Sequence, residues 1–209
     1  MQPDKTTDTV LVVDDEAAIR DLLQRIVRTI PHTFPVAASG AEEALRCAAE
    51  SPPSLIISDL NMPDKTGLWL LSNIRRRDTT LPFVIFSGSL TSEDESILLN
   101  HGASRVIAKP ASAIALRNMM LEMLSRNVRF EMVAHVGSVV HLTGTFNDWN
   151  PSQLRMVDEP HAGIFSITLR LPRGRYEYKF VVDGVWQADP RNPQWVPNGL
   201  TTTNSVLEV

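Results

Sequence analysis

The rhythm of hydrophobic and polar positions changes once along this chain. From about residue 8 to residue 126, short unbroken apolar runs alternate with stretches whose apolar positions recur at helical spacing. Val10-Leu11-Val12-Val13, Leu55-Ile56-Ile57, Phe83-Val84-Ile85-Phe86 and Val106-Ile107-Ala108 read as strands buried on both faces, and residues 34–38 as a weaker one. Between the first two, Ile19, Leu22, Leu23, Ile26, Val27 and Ile30 mark one face of a helix that Asp14 or Asp15 is placed to cap. Further helices are predicted over 40–50, 67–77, 92–100 and 113–125. Five such strand–helix repeats call for a doubly wound α/β fold, a five-stranded parallel sheet covered on both faces.

Near residue 128 the helical period stops. Strand-like segments follow at 130–135, 139–143, 164–171, 176–182 and 205–209, separated by turn signals at Asn147-Asp148, Pro172-Arg173-Gly174 and Asp183-Gly184. About 80 residues of this kind read as an all-β, immunoglobulin-like sandwich. The expected domains are 1–126 and 127–209, with only the residues around Arg126 to Arg129 joining them.

Composition narrows the functional classes. The formal net charge is −4, and neither part carries the basic excess of a nucleic-acid or membrane-surface binder. No apolar run approaches the roughly 18 residues of a membrane span. One cysteine, Cys47, excludes an intrachain disulfide, and the histidines at 32, 101, 135, 141 and 161 show no metal-ligand spacing. Met1-Gln-Pro-Asp-Lys lacks the apolar core of a signal peptide, so a cytoplasmic location is expected.

The chemistry gathers where the strands end. The first runs into Asp14-Asp15, the third into Asp59, the fourth into Ser87-Gly88 and the fifth into Lys109-Pro110. In open α/β sheets the working site lies at the carboxyl ends of the strands, so these groups converge. An aspartate that captures a phosphoryl group must overcome its own repulsion. Carboxylates holding Mg²⁺, an ammonium and a hydroxyl supply the remedy. Asp14 and Asp15 suit the metal, Asp59 the nucleophile, Ser87 the hydroxyl and Lys109 the ammonium.

Taken with Met62-Pro63, Gly67 and Gly102-Ala103, these motifs resemble the receiver domain of two-component response regulators, a flavodoxin-like fold. The resemblance implies that Asp59 takes phosphate from a partner histidine kinase. It implies Mg²⁺ on Asp15, Asp59 and the backbone carbonyl of Asn61, with Asp14 acting through water, and a cis Lys109-Pro110 bond. One departure stands out. The family usually places an aromatic two or three positions before the lysine, where this chain has Val106 and Ile107.

The second part carries Gly144-Thr-Phe146-Asn147-Asp148-Trp149, the run Tyr176-Glu-Tyr178-Lys179-Phe180-Val-Val-Asp183-Gly184-Val-Trp186, and Asn204-Ser205. Neutral polysaccharide is bound by flat apolar faces and a few hydrogen bonds, and Trp149 and Trp186 each follow a strand at a turn. These segments resemble the glycogen-binding module of the β subunit of AMP-activated protein kinase. Carried over by motif, Trp149 and Trp186 stack on glucose units, and Lys179 and Asn204 hydrogen-bond, with Leu200 and Thr202 beside them. Trp195 is an additional aromatic in the same loop.

The expected protein is therefore a response regulator, not an enzyme, whose phosphorylation controls a unit that binds glycogen or a related α-glucan. A phosphorylation-dependent homodimer, through the fourth and fifth helices where Met119, Met120, Met123 and Leu124 crowd, is a further expectation. The alternative is an adaptor whose sandwich docks a partner enzyme or kinase and binds no sugar.

Overall fold

The computed structural model describes residues 7–159 and 161–209; the segment 1–5, read above as lacking a leader's apolar core, lies outside them. The chain divides into two compact units, Met1–Leu124 and Ser125–Val209.

The first unit alternates β1 (Asp8–Val13), α1 (Ala17–Arg28), β2 (Thr33–Ala38), α2 (Ala41–Glu50), β3 (Leu55–Ser58), α3 (Gly67–Arg75), β4 (Phe83–Ser87), α4 (Ser92–Asn100), β5 (Arg105–Ala108) and α5 (Ala113–Leu124). All neighbours in the sheet are parallel, in the order β2-β1-β3-β4-β5. The unbroken apolar runs have a direct cause. Val10, Val12, Leu55, Ile57, Val84 and Phe86 pack against α1 and α5. Their alternates Leu11, Val13, Ile56, Phe83 and Ile85 pack against α2, α3 and α4. Strand order reverses between β1 and β3, so the ends of these two strands flank the crevice where such folds build sites.

Two local expectations change. The residue that caps α1 is Glu16, whose side chain makes no capping bond. Asp14 instead accepts the Glu16 N–H on Oδ1 at 2.9 Å, leaving its other oxygen for the site. Met119, Met120 and Leu124 of α5 turn inward and are buried, Met123 is partly buried, and the large exposed apolar residues of α4 and α5 are Ile97, Leu99 and Ile114.

The second unit contains β6 (Arg126–Val133), β7 (Val140–Gly144), β8 (Leu154–Arg155), β9 (Val157–Asp158), β10 (Ile164–Leu171), β11 (Arg175–Val182), β12 (Val185–Gln187), β13 (Trp195–Pro197) and β14 (Thr203–Glu208). One sheet runs β6-β10-β9; the other runs β13-β14-β11-β7-β8, with β12 on β11. Phe130, Met132, Phe165 and Leu171 from the first sheet share a core with Val140, Leu142, Tyr178 and Phe180 from the second. The residues from Arg126 to Arg129 are strand rather than linker. The eight-residue β10 pairs along its whole length, down to Leu171 opposite Arg126, and draws them into the sheet. Ser125 alone separates α5 from β6.

Candidate functional site

In the first unit the strand ends deliver their groups to one place. Asp14 follows β1 and is 1% exposed; Asp59 follows β3 and is 8% exposed. Backbone bonds fix both: Asp14 N–H donates to the Ala38 carbonyl at 3.3 Å and Asp59 N–H to the Val13 carbonyl at 2.8 Å. Carboxylate oxygens of Asp14, Asp15 and Asp59 lie within 4.8 Å of one another. Lys109, after β5, donates to Asp14 Oδ2 at 2.7 Å and sits 3.4 Å from Asp59 Oδ1. The 3.4 Å contact pairs the charges without a hydrogen bond, so Asp59 Oδ1 is a buried oxygen with no hydrogen-bond partner. The Ser87 hydroxyl, at the end of β4, is buried and unpartnered in the same way. Asn61 lies in the exposed loop after β3, and the Lys109-Pro110 bond is cis.

Burial raises the Asp59 carboxyl above its ordinary value; the Lys109 charge pulls it down, the Asp14 charge adds to the rise, and the net direction is upward. Burial alone would depress Lys109, but its hydrogen bond to Asp14 and the charges of Asp14 and Asp59 more than offset this and hold it above the usual lysine value. The site therefore keeps its ammonium charged and its Asp59 carboxylate short of solvation.

Gly67 explains part of the spacing. A Cβ there would lie 2.2 Å from the Asp59 carbonyl oxygen, so only glycine lets α3 start against that peptide. Two groups had no signal in the sequence. Arg20, on α1, donates to the carbonyls of Asp14 and Asp15 at 2.7 and 2.8 Å and clamps the acidic turn. The Phe86 ring lies 5.3 Å from the Lys109 ammonium, so the aromatic beside the lysine comes from β4 and not from β5.

Mg²⁺ takes oxygen ligands. Three carboxylates so close together, one with a buried oxygen lacking any hydrogen bond, fit that requirement.

In the second unit, a cleft of about 780 Å³ is lined by Trp149, Glu177, Lys179, Trp186, Pro197, Asn198, Leu200, Thr202 and Asn204. All six carbohydrate candidates from the sequence thus share it. Alternation along β11 buries Tyr176, Tyr178 and Phe180 toward the core and leaves Glu177 and Lys179 on the outer face. The turn at Asp183-Gly184 folds β12 back so that Trp186 stands opposite Val181, 45% exposed. Trp149 is placed by backbone geometry. Asp148 and Trp149 both adopt left-handed φ, +51° and +57°, and Trp149 N–H donates to the Gly144 carbonyl at 2.9 Å. Asn147 ties the turn from inside, accepting the Gly144 N–H at 2.9 Å and donating to the Asn150 carbonyl at 2.9 Å.

Lys179 is buried and donates to Thr202 Oγ1 at 2.8 Å. Asn204 donates to Glu177 Oε2 at 2.9 Å. That bond and the Arg175 guanidinium hold the Glu177 carboxyl below its ordinary value. Glu177, Pro197 and Asn198 were not foreseen from the sequence. Trp195 is not part of the lining: it pairs opposite Ser205, one residue out of step with Asn204, and is 60% exposed.

A family model described as a response regulator receiver domain matches residues 10–121. A second, described as the glycogen recognition site of AMP-activated protein kinase, matches residues 128–209. The transcriptional regulatory protein KdpE of Mycobacterium tuberculosis is 39% identical over 101 residues, 48% of this chain and 44% of that protein. Protein FLOURY ENDOSPERM 6, chloroplastic, of Oryza sativa subsp. japonica is 53% identical over 62 residues, 30% of this chain and 11% of that protein. The chain thus spans less than half the length of either relative. Among solved structures, the chemotaxis protein CheY4 of Vibrio cholerae superposes with a TM-score of 0.52 at 25% identity, covering 55% of this chain and 96% of its own. No helix among the described residues is long and apolar enough to cross a membrane.

Proposed function

This chain belongs to the response regulator receiver family, and from that premise we propose that phosphorylation of Asp59 by a histidine kinase controls an output unit that binds glycogen or a related α-glucan. The observation that carries the reading is the single cleft in which Trp149, Lys179, Trp186, Leu200, Thr202 and Asn204 meet. A receiver followed by a glycogen-recognition module supports it.

In the receiver, an Asp59 carboxylate oxygen attacks phosphorus. The bond from phosphorus to the kinase imidazole nitrogen breaks, and the imidazole keeps the electron pair. Lys109, already charged and aimed between Asp14 and Asp59, holds a phosphoryl oxygen. The free Ser87 hydroxyl donates to another. Asp14, Asp15, Asp59 and the Asn61 carbonyl would hold Mg²⁺, which offsets the repulsion between the carboxylate and the incoming phosphoryl group. Accepting phosphate and slowly losing it to water is the only chemistry in this reading, which sets the protein in the cytoplasm beside its kinase.

In the cleft, Trp149 and Trp186 offer ring faces to glucose units, and covering one fully is worth roughly 1.5–3 kcal/mol, less for a one-sided stack. A phosphorylation-dependent homodimer through α4 and α5, which expose Ile97, Leu99 and Ile114, would join two clefts on one polymer. That joins two contacts for a gain on the order of 10²–10⁴ in apparent affinity.

Retention of the whole chain on glycogen resin, beside Trp186→Ala, tests the output. Wild type is expected to be retained and the variant lost. Equal behaviour of the two sinks the glucan reading in favour of a protein-docking adaptor. Mass in solution with and without acetyl phosphate tests the dimer; a dimer that ignores phosphate would end that part of the reading.

A further inference from the structure

Resting on the glucan reading, we infer that Asn198 is a positioning residue that sets the Thr202 hydroxyl as a hydrogen-bond donor toward the bound sugar. A hydroxyl carries one proton and two acceptor lone pairs. At Thr202 Oγ1 two donors already arrive. Lys179 Nζ lies at 2.8 Å and Asn198 Nδ2 at 2.7 Å. The ammonium has no acceptor to offer in return. The Asn198 amide cannot serve as one either, because its orientation is fixed: Oδ1 accepts the Leu200 N–H at 3.0 Å, so Nδ2 is the end that faces Thr202. Both Thr202 lone pairs are therefore taken, and its single proton is left for the cleft.

The neighbouring groups point the same way. Asn198 Nδ2 also lies 3.3 Å from Asn204 Oδ1, and the Asn198 N–H closes the loop onto the Thr202 carbonyl at 3.1 Å. Asn204 Nδ2 donates to Glu177 Oε2, and Glu177 Oε1 is taken by Arg175 at 3.0 Å. Each of these acceptors already meets a protein donor, and three donors stay open to a ligand: the Thr202 hydroxyl, the spare hydrogens of the Lys179 ammonium and the second Asn204 amide hydrogen. Such a wall takes a ligand by its lone pairs, through sugar hydroxyl, ring or glycosidic oxygens acting as acceptors.

The test is calorimetric titration of the full chain with maltoheptaose, each variant checked by its melting midpoint. Asn198→Asp keeps the size and the acceptor for Leu200 N–H but replaces the donor by a carboxylate, which draws the Thr202 proton away from the cleft. Affinity is expected to fall about 3- to 10-fold. Thr202→Val should lose a similar factor and Thr202→Ser almost none. The double variant Asn198→Asp with Thr202→Val should lose no more than the worse single one, since both act through one hydroxyl. Losses that multiply, or wild-type affinity in Asn198→Asp while Trp186→Ala weakens binding about 10-fold, overturn the inference and leave the glucan reading standing. If Trp186→Ala binds as wild type does, or wild type does not bind, both fall.

Discussion

The two sites solve opposite problems with buried polar groups. At Asp59 the protein leaves atoms unsatisfied: Asp59 Oδ1 and Ser87 Oγ are buried without hydrogen bonds, and two carboxylates share one ammonium. Around Lys179 it does the reverse. Thr202, Asn198, Asn204, Glu177 and Arg175 form a continuous chain of paired donors and acceptors beneath two partly exposed indoles. The first arrangement is held together against charge repulsion by a rigid sheet, and it suits a charged group that arrives and leaves. The second is already at rest and suits a neutral polymer that lies on it. On the proposed reading, the electrostatically stressed site carries the covalent chemistry and the relaxed polar network beside aromatic faces carries adsorption.

If that contrast holds, the sites fail separately. The largest effect is expected from Asp59→Asn: incorporation of phosphate from acetyl phosphate is abolished, read by phosphate-affinity electrophoresis, while binding of maltoheptaose by the unphosphorylated chain is unchanged. The same variant should melt higher at neutral pH. A raised carboxyl value in the folded state means that this group's contribution to stability is present below the ordinary value of 3.8 and lost as pH rises through the raised one. Asn never ionises, so its advantage should shrink on acidification.

Next comes Gly67→Ala. Its Cβ would meet the Asp59 carbonyl, so the first unit should lose about 1–3 kcal/mol, with phosphorylation slowed and sugar affinity untouched. A matched loss of both activities would break the separation.

Trp186→Ala should weaken maltoheptaose by roughly 10-fold, as for the loss of a one-sided stack, and leave phosphate incorporation at its wild-type rate. The smallest effect concerns acid. The folded Glu177 value is depressed, so its contribution is present above the ordinary 4.5 and lost as pH falls through the lower folded value. Sugar affinity should hold from neutrality to about that ordinary value and decline below it, and Glu177→Gln should flatten the decline.

Strand ends were the most legible feature of the sequence. Asp14, Asp59, Ser87 and Lys109 follow apolar runs too short for helices, and parallel topology forces such ends together. The partners that arrive from elsewhere were not legible. Arg20 reaches the acidic turn from a helix face that otherwise reads as solvated, and Phe86 looks like any other core residue of β4. In the second unit, Trp149, Lys179, Trp186 and Asn204 were readable through their motifs. Asn198 and Glu177 join the cleft through side-chain geometry that no spacing encodes. Strands β8, β9, β12 and β13 are two or three residues long, below what alternation can reveal. The start of β6 was missed for another reason. Arg126, Asn127 and Arg129 are polar, and only their pairing with β10 makes them strand.

The Asp148–Trp149 turn carries one more consequence. Two successive non-glycine residues with left-handed backbone, pinned through Asn147 and the Gly144 carbonyl, place the indole before any sugar arrives. The entropy of ordering that wall is lost during folding and not during association. On the proposed glucan reading, encounter with a chain then requires no loop rearrangement on the Trp149 side, and differences between glucans would show in residence time more than in the rate of association.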